Sequence, residues 1–324
     1  MCIPGTATSR YVNFYTDFAF KKIFGTEANK DLLIGFLNDL LELSGDKMIE
    51  SLTYLNSEQL GDSMDERRAV YDVYCSTFGG ERFIVEMQKA KQDFFKDRAI
   101  YYSSFAVRSQ GVRSGRLMPW DYRLSPVYVI GILNFQLDEG AEENGRVISK
   151  VQLKDDDNEI FSDRLNYIFV EMPKFNKTEA DLNTSLDKWL YVIKNLYKLK
   201  GKPEALTGAI FKKLFDVAEI SAFTDKERGE YEESLKNFWD LNNVLTTAKS
   251  EGFAEGEAAG LERGRAEGLE KGRAEGEAAG LEKGLERGRV EEKLATARNL
   301  KRLGIDSDKI SQATGLSIDE ISKL

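Results

Sequence analysis

Residues 71–92 read YDVYCSTFGGERFIVEMQKAKQ, a stretch of strand-forming residues around two adjacent glycines. Aromatic and β-branched residues lie on both sides of Gly79-Gly80, which predicts a hairpin of two buried strands. Asp72 and Glu86 interrupt these otherwise apolar strands. An ionised carboxylate in a protein core is costly unless it is paired or bound to a metal. Asp72 and Glu86 are therefore the first candidate functional residues.

The register of this hairpin determines whether the two carboxylates meet. A two-residue turn at Gly79-Gly80 pairs residues whose numbers sum to 159, which places Asp72 and Glu86 on opposite faces. A three-residue loop with a glycine bulge pairs residues whose numbers sum to 158, which brings the two together. The sequence permits either register, and we predict the bulged one.

Gln88 lies on the same face as Glu86, because alternate residues of a strand share a face. With Asp72 opposite Glu86, two carboxylates and one amide converge. A few hard oxygen ligands make a minimal divalent-cation site, with positions left for water and phosphate. A cation there would lower the pKa of a bound water and stabilise charge on a phosphodiester.

The rest of the first 249 residues is typical of an α/β domain with a mixed sheet. The predicted helices are 14–44 (split at Gly25), 93–110, 182–199, 203–220 and 224–249, and the predicted strands are 49–57, 68–78, 82–88, 126–137, 146–154 and 164–172. The run that begins at Pro126 is almost entirely apolar, which indicates a buried central strand.

Composition excludes several classes of chemistry. The chain has no histidine, which removes Ser-His-Asp and Cys-His catalysis and histidine-ligated metals. Two cysteines, Cys2 and Cys75, cannot form a disulfide framework, which is typical of a reducing cytoplasm. No apolar run approaches the ~20 residues of a membrane span, and the N-terminal MCIPGTATSRY lacks the apolar region of a signal peptide. We therefore predict a cytoplasmic protein that does not enter a membrane.

Positive charge is concentrated just after the hairpin, although the net charge is −9. From Lys89 to Arg123 there are eight Lys and Arg residues and three Asp residues, a local charge of +5. A basic surface beside an acidic pocket suits a polyanionic substrate. A solvated helix face explains the charge equally well.

A glycine occupies every fourth position from Gly252 to Gly288, ten in all. Each glycine inside a helix costs ~1 kcal/mol relative to alanine, whereas the Ala, Leu, Glu, Lys and Arg between them favour a helix with paired charges. We predict a marginal helix that becomes ordered through self-association, which would make the protein a homo-oligomer. A flexible charged linker is the alternative.

Residues 290–324 predict three short helices, with a capping box at Ser317 and Glu320. The spacing is like that of a helix-turn-helix, but the acidic Asp319 and Glu320 make the last helix a poor reader of DNA. A small folding or dimerisation module is the favoured interpretation. The chain thus divides into a core (1–249), a glycine repeat (250–289) and a small helical module (290–324).

Five segments in this order resemble the recombination-promoting nuclease (Rpn) family, transposase-like members of the PD-(D/E)XK nuclease superfamily. They are TDFAFKKIFG, YDVYC, IVEMQ followed by a helix with RAIYY, PVYVIGILNF, and the glycine-repeat tail. The resemblance covers roughly residues 10 to 220 and the style of the tail. It implies a restriction-endonuclease-like α/β fold, with a mixed central sheet flanked by helices, and cleavage of DNA that depends on Mg²⁺ or Mn²⁺.

The resemblance implies that Asp72 and Glu86 hold the metal. Gln88 stands where the superfamily usually has lysine, so it can orient a water but adds no positive charge. Members of this family show the same ExQ pattern, which favours a variant site over an inactive one. Lys89 has the wrong strand parity to replace the lysine, whereas Lys91 could reach back to the site.

Three further residues are possible supports of the site. Asp17 corresponds to the superfamily's acidic residue on the first helix, and a helix N-cap is an equally weighted alternative. Arg98 and Tyr102 lie four residues apart on the helix after the motif, where one face could meet phosphate. A half-buried helix with an aromatic stripe is the preferred interpretation of that pair.

Two functions follow from these expectations. The first is a metal-dependent DNA endonuclease that acts in recombination, mobile-element biology or defence against foreign DNA. The second is a catalytically inactive, oligomeric DNA-binding or scaffold protein of the same fold. Substitution of Asp72 separates them, because only the first function needs its carboxylate.

Overall fold

The computed structural model describes residues 9–59, 69–111, 122–137 and 145–324. Predictions that involve Cys2, Arg68, Arg113, Arg116 or Asp121 lie outside these ranges. The described residues form helices α1 (Asp17–Phe24), α2 (Lys30–Leu41), α3 (Phe95–Arg108), α4 (Ser185–Asn195), α5 (Ala209–Ala218), α6 (Asp225–Arg302), α7 (Ser307–Thr314) and α8 (Ile318–Ser322). The strands are β1 (Thr53–Tyr54), β2 (Glu58–Gln59), β3 (Ala69–Val70), β4 (Val73–Ser76), β5 (Arg82–Gln88), β6 (Val127–Leu133), β7 (Ile148–Lys154) and β8 (Ile160–Glu171).

Six strands form one mixed sheet in the order β1-β4-β5-β6-β8-β7, and β2 pairs with β3 separately. The pairs β5–β6 and β6–β8 are parallel, whereas β1–β4, β4–β5 and β7–β8 are antiparallel. Helices cover both faces, as expected for a sheet with parallel strands at its centre. The predicted α/β fold with a mixed central sheet is confirmed, and it is consistent with a restriction-endonuclease-like fold.

The alternation of side chains along β5 separates two apolar cores. Phe83, Val85 and Met87 face a large core that includes α1, α2, α4 and α5. Ile84 faces a smaller core under α3. Glu86 and Gln88 follow Ile84 at two-residue intervals, so they belong to the α3 face of the sheet, at the carboxyl end of β5.

Patterns in the sequence predict the presence of the helices and strands better than they predict where each one begins and ends. The predicted break at Gly25 is confirmed, and a β-carbon there would lie 2.8 Å from the carbonyl oxygen of Lys21. The predicted strand 49–57 is mostly irregular, because only Thr53–Tyr54 pairs with β4. The predicted strand 68–78 is split into β3 and β4 around Tyr71 and Asp72.

The chain divides into two compact units, Met1–Asn242 and Asn243–Leu324. The predicted boundaries at 249 and 289 stay predictions. In the second unit the glycine repeat is helical throughout, as part of α6. The predicted first short helix after residue 290 is wrong, because those residues continue α6 to Arg302.

The end of the chain forms its own small core. Ala297, Ile310, Leu316 and Ile321 are buried together. The predicted capping box is confirmed, since the Ser317 hydroxyl accepts from the Glu320 amide and the Glu320 carboxylate accepts from the Ser317 amide. The last helix, Ile318–Ser322, has five residues.

Across the described ranges, no helix combines the length and the apolar character that crossing a membrane requires.

Candidate active site

A three-residue loop sets the register of the β4–β5 hairpin. The Thr77 amide donates to the Glu81 carbonyl (3.0 Å), and the Gly80 amide donates to the Thr77 carbonyl (3.2 Å). Gly80 has a φ of +90°, a conformation that favours glycine. Val73 consequently lies opposite Val85, a pair whose numbers sum to 158. The predicted bulged register is confirmed.

This register brings Asp72, the residue immediately before β4, beside Glu86 of β5. The Asp72 amide donates to Glu86 Oε1 (3.2 Å), and Asp72 Oδ2 accepts from the Met87 amide (2.8 Å). Gln88 Nε2 donates to Glu86 Oε2 (3.0 Å). The three residues that the sequence places together are therefore linked by hydrogen bonds, through the backbone amide of Asp72 and the side chains of Glu86 and Gln88.

The two carboxylates are largely withdrawn from water. Glu86 and Gln88 are each 8% exposed, and Asp72 is half-buried. Burial and then the negative charge of Asp72 raise the pKa of Glu86 to about 8. Burial also raises the pKa of Asp72 above its usual range, opposed by the hydrogen bond from the Met87 amide. The raised pKa of Glu86 thus reflects both its burial and repulsion from the charge of Asp72.

The donor set of this cluster fits a divalent cation. Carboxylate oxygens are the ligands preferred by Mg²⁺, and neither Asp72 nor Glu86 forms an ion pair with the described residues. A cation would offset the burial that raises the pKa of both carboxyls and the repulsion that further raises that of Glu86. Within the described ranges, no group of three or more Asp, Glu, His or Cys side chains is arranged to hold a metal. The protein ligands would thus be these two carboxylates, with water completing the shell.

Asp17 lies beside the cluster but does not join it. Its side chain forms an ion pair with Lys21 (3.1 Å), one turn along α1. The alternative interpretation of Asp17 as an N-cap is wrong, because the Thr16 side chain accepts from the Ala19 amide and caps the helix. Asp17 lines the same cleft as Asp72, and its charge contributes to the raised pKa of Asp72.

A cleft of about 950 Å³ opens next to Asp72. Its lining includes Lys21 and Lys22 from α1, Lys89 from the end of β5, and Glu230 and Glu233 from α6. The positive charges of Lys21 and Lys89 lower the pKa of Asp72, which shows that both act on this carboxylate. Two lysines therefore act on one member of the carboxylate pair, in a cleft that also contains acidic side chains.

Neither Lys21 nor Lys89 is among the site residues predicted from the sequence. Strand parity excludes Lys89 only if the strand continues, whereas β5 ends at Gln88 and the following residue turns towards the cleft. Lys21 could have been found from its position four residues after Asp17 on one helix. Lys91 is exposed and does not belong to the lining of the two cavities around Asp72, as far as the described residues form them.

Arg98 and Tyr102 lie on α3, above the Glu86 side of the sheet. The Arg98 guanidinium stacks over the rings of Phe95 and Tyr102, at 5.6 and 5.5 Å from their centroids, and it bonds to Gln92. The preferred interpretation of an aromatic helix face agrees with this packing. The charge of Arg98 nevertheless reaches Glu86, because it lowers the pKa of that carboxyl.

Comparison with protein families gives one match that spans most of the chain. A family model described as PD-(D/E)XK nuclease family transposase matches residues 14–248. The matched range contains the hairpin, the carboxylate cluster and the lysines of the cleft. Neither the curated proteins nor the solved structures gave a match.

Proposed function

The chain belongs to the PD-(D/E)XK nuclease family of transposases, and from this premise we propose that it is a metal-dependent endonuclease that hydrolyses phosphodiester bonds in DNA. The observation that carries the proposal is the contact between Asp72 and Glu86 across the β4–β5 hairpin. Both are acidic, both have a raised pKa, and Asp72 lines a cleft that also contains Lys21 and Lys89. A phosphodiester is the substrate that such a combination favours.

Each residue of the cluster has a separate role in this proposal. Asp72 and Glu86 hold a divalent cation, Mg²⁺ or Mn²⁺. When bound, the cation supplies Lewis-acid stabilisation of charge on the phosphodiester and makes the attacking water more acidic. Gln88 holds the Glu86 carboxylate in position through its 3.0 Å hydrogen bond. This orientation of a ligand by a neighbouring donor is the usual task of residues around a metal.

The wider setting follows from the same proposal. The protein acts on DNA in recombination, in mobile-element biology or in defence against foreign DNA. It works in the cytoplasm and forms homo-oligomers through the glycine repeat of α6. The experiment below tests the chemistry on which this setting depends.

The test is cleavage of supercoiled plasmid with Mg²⁺, with Mn²⁺ or with EDTA. We expect nicking or linearisation by the wild type with either metal and none with EDTA. Asp72→Ala and Glu86→Ala should both lose the activity, whereas the exposed turn variant Asp156→Ala should keep it. Circular dichroism of each variant controls for folding. Cleavage that survives both cluster substitutions would contradict the proposal.

A second function is favoured by one observation, the neutral amide of Gln88 at the position of the superfamily's lysine. In that case the protein binds DNA as an oligomeric scaffold and does not cut it. A well-folded wild type that binds DNA but leaves the plasmid intact with every metal would support the scaffold. Metal-dependent cleavage that both cluster variants lose would exclude it.

A further inference from the structure

Phe94 is an exposed aromatic residue at the start of α3. Its side chain is 79% exposed, although it is large and apolar. It belongs to neither core of the first unit, and its ring makes no contact with another ring among the described residues. The next residue, Phe95, is buried and packs edge-on against Phe135 and Phe169. The core beneath α3 therefore uses Phe95 and leaves the ring of Phe94 open to a ligand.

The backbone of Phe94 has a conformation that other residues adopt more easily. Its φ is +60°, in the left-handed region. This region is disfavoured for a bulky side chain, whereas glycine and asparagine enter it with less strain. Neither the backbone nor the packing thus accounts for an aromatic side chain at this position. A strained residue with an exposed ring points to contact with a ligand.

The neighbours of Phe94 in the chain reach the candidate site. Gln92, two positions before it, lines a cavity of about 240 Å³ together with Asp72. Arg98, one helical turn after it, bonds to the Gln92 side chain, and its charge lowers the pKa of Glu86. The Arg98 amide also donates to the Phe94 carbonyl (2.9 Å). The chain therefore holds Phe94 at the border of the candidate site.

We infer that Phe94 stacks on an unpaired base of the DNA strand that reaches Asp72, so that single-stranded or locally unpaired DNA is the preferred substrate. An aromatic ring stacks on any base, because every base has a π-face. A base inside a duplex is already stacked and presents only its edges in the grooves. The identity of the ligand as DNA rests on the proposed function, whereas the stacking contact rests on the exposure, strain and position of Phe94.

The affinity for single strands measures such a contact. Removal of a ring that stacks on one base weakens binding by about 5- to 150-fold. A duplex should lose much less, since its bases stay in the stack. A strand of abasic sugar-phosphate units has no base, so it should not distinguish a protein with the ring from one without it.

The experiment uses the full chain with EDTA, so that binding is measured without cleavage. Fluorescence anisotropy gives the affinity for a labelled oligothymidine, for a duplex and for an abasic strand of the same length. The main variant is Phe94→Gly, because glycine adopts the φ of +60° without strain and should not lower the stability of the fold. Phe94→Trp retains an aromatic ring. The matched control is Phe78→Ala, which removes another fully exposed ring, in the hairpin loop at the opposite end of β5.

We expect Phe94→Gly to bind the single strand about 5- to 150-fold more weakly than the wild type and to match it on the duplex and the abasic strand. Phe94→Trp should bind the single strand as tightly as the wild type, and Phe78→Ala should match the wild type on every ligand. Unchanged single-strand binding by Phe94→Gly, or an equal loss on the abasic strand, would overturn the inference. Unchanged binding with a lower mass in analytical ultracentrifugation would also overturn it, and would assign the ring to a contact between protein chains.

The outcome is separate from that of the cleavage assay. If Phe94→Gly binds the single strand as the wild type does and still cuts plasmid with Mg²⁺, the stacking contact fails and the proposed function stands. If Phe94→Gly loses single-strand binding while the wild type cuts nothing with any metal, the stacking contact stands and the scaffold function is favoured.

Discussion

Glu86 is the residue whose chemistry departs furthest from that of an exposed carboxylate. It lies beneath α3, accepts hydrogen bonds from the Asp72 amide and from Gln88, and has a second carboxylate beside it. Hydrogen bonds favour its charged form, but burial and the charge of Asp72 outweigh them. In the metal-free protein the charged form of Glu86 is therefore destabilised, and a bound cation would offset this effect.

The first prediction concerns the pH dependence of stability in the metal-free protein. Glu86 ionises near pH 4.5 when unfolded and at about 8 when folded, so between these values the folded state binds more protons. The free energy of unfolding should then fall as pH rises from about 4.5 to about 8, by up to ~1.4 kcal/mol per pH unit, and level off above.

Urea unfolding in EDTA at a series of pH values measures this slope. Glu86→Gln should remove most of it and stabilise the protein at pH 8, whereas the exposed Glu204→Gln should behave as the wild type does. A slope that persists in Glu86→Gln would assign the pH dependence to other groups.

The second prediction concerns Gln88. Its amide is bonded to Glu86 Oε2, so Gln88→Ala removes one of the two hydrogen bonds that orient this carboxylate. Loss of a residue that orients a metal ligand typically costs 10–100-fold in metal affinity or activity. We expect a loss of that order in the plasmid assay, with a higher Mg²⁺ concentration restoring part of it. Unchanged cleavage at every Mg²⁺ concentration would show that Glu86 needs no such support.

At the scale of elements, the hairpin loop decides whether the site exists. Gly80 has φ +90°, and a β-carbon there would meet the Ser125 hydroxyl at 2.8 Å. Gly79 has no such φ, and a β-carbon there would meet only the flexible Glu81 side chain. The two glycines are adjacent in sequence, but only Gly79 should tolerate substitution by a residue with a β-carbon.

The third prediction compares these neighbours. Gly80→Ala should destabilise the protein by about 1–2 kcal/mol and reduce cleavage, because strain at the loop disturbs the register that joins Asp72 to Glu86. Gly79→Ala should have a small effect on both. Denaturant unfolding and the plasmid assay measure the two outcomes, and equal behaviour of the two variants would contradict the argument.

The glycine repeat of α6 presents a different problem of geometry. Successive glycines are four residues apart and advance by about 40° around a helix of 3.6 residues per turn. From Gly252 to Gly288 the stripe therefore travels about once around the helix. A β-carbon on any of these ten glycines would meet nothing within 4 Å in the single chain. Only a partner could give the stripe a packing role.

The fourth prediction tests the proposed self-association. Gly264→Ala/Gly272→Ala should stabilise the helix, by about 1 kcal/mol for each residue, and should weaken self-association if backbones approach along the stripe. Thermal melting by circular dichroism and analytical ultracentrifugation of the full chain measure these effects. Ala266→Ser, a small change off the stripe, is the control. A stabilised helix with unchanged association would place any oligomer contact elsewhere.

At the scale of the whole molecule, the candidate site lies in the first unit. The carboxylate cluster, the lysines and the glutamates of the cleft all lie within Met1–Asn242, and the family match ends at residue 248. The second unit has its own small core around Ile310. Neither the hairpin nor the cleft includes a residue from it.

The fifth prediction follows from this division. A chain of residues 1–249 should unfold cooperatively. Its rate of metal-dependent cleavage, expressed per active site, should stay within about tenfold of that of the full chain, because the removed segment contains none of the candidate site residues. The plasmid assay and urea unfolding measure this. A well-folded fragment without activity would show that the tail, through assembly, completes the enzyme.

The sequence alone determined the features that depend on near neighbours. Alternating aromatic and β-branched residues around Gly79-Gly80 predicted the hairpin, and strand parity placed Glu86 and Gln88 on one face. Gly25 marked the break between α1 and α2, and Ser317 with Glu320 marked the start of α8. Backbone sterics and hydrogen bonds within a few residues decide all of these features. A short stretch of sequence is therefore enough to predict each of them.

Tertiary structure alone decided the features that depend on packing between distant segments. It selected one of two permitted registers, it turned Lys89 towards Asp72 where β5 ends, and it placed Glu230 of α6 in the same cleft as Lys21 of α1. It also left Lys91 out of that cleft. A side chain at the end of a strand can turn either way, and residues more than a hundred positions apart meet only after the core has closed. The carboxylate pair could be predicted from its hairpin, whereas the charged residues of the cleft beside it could not.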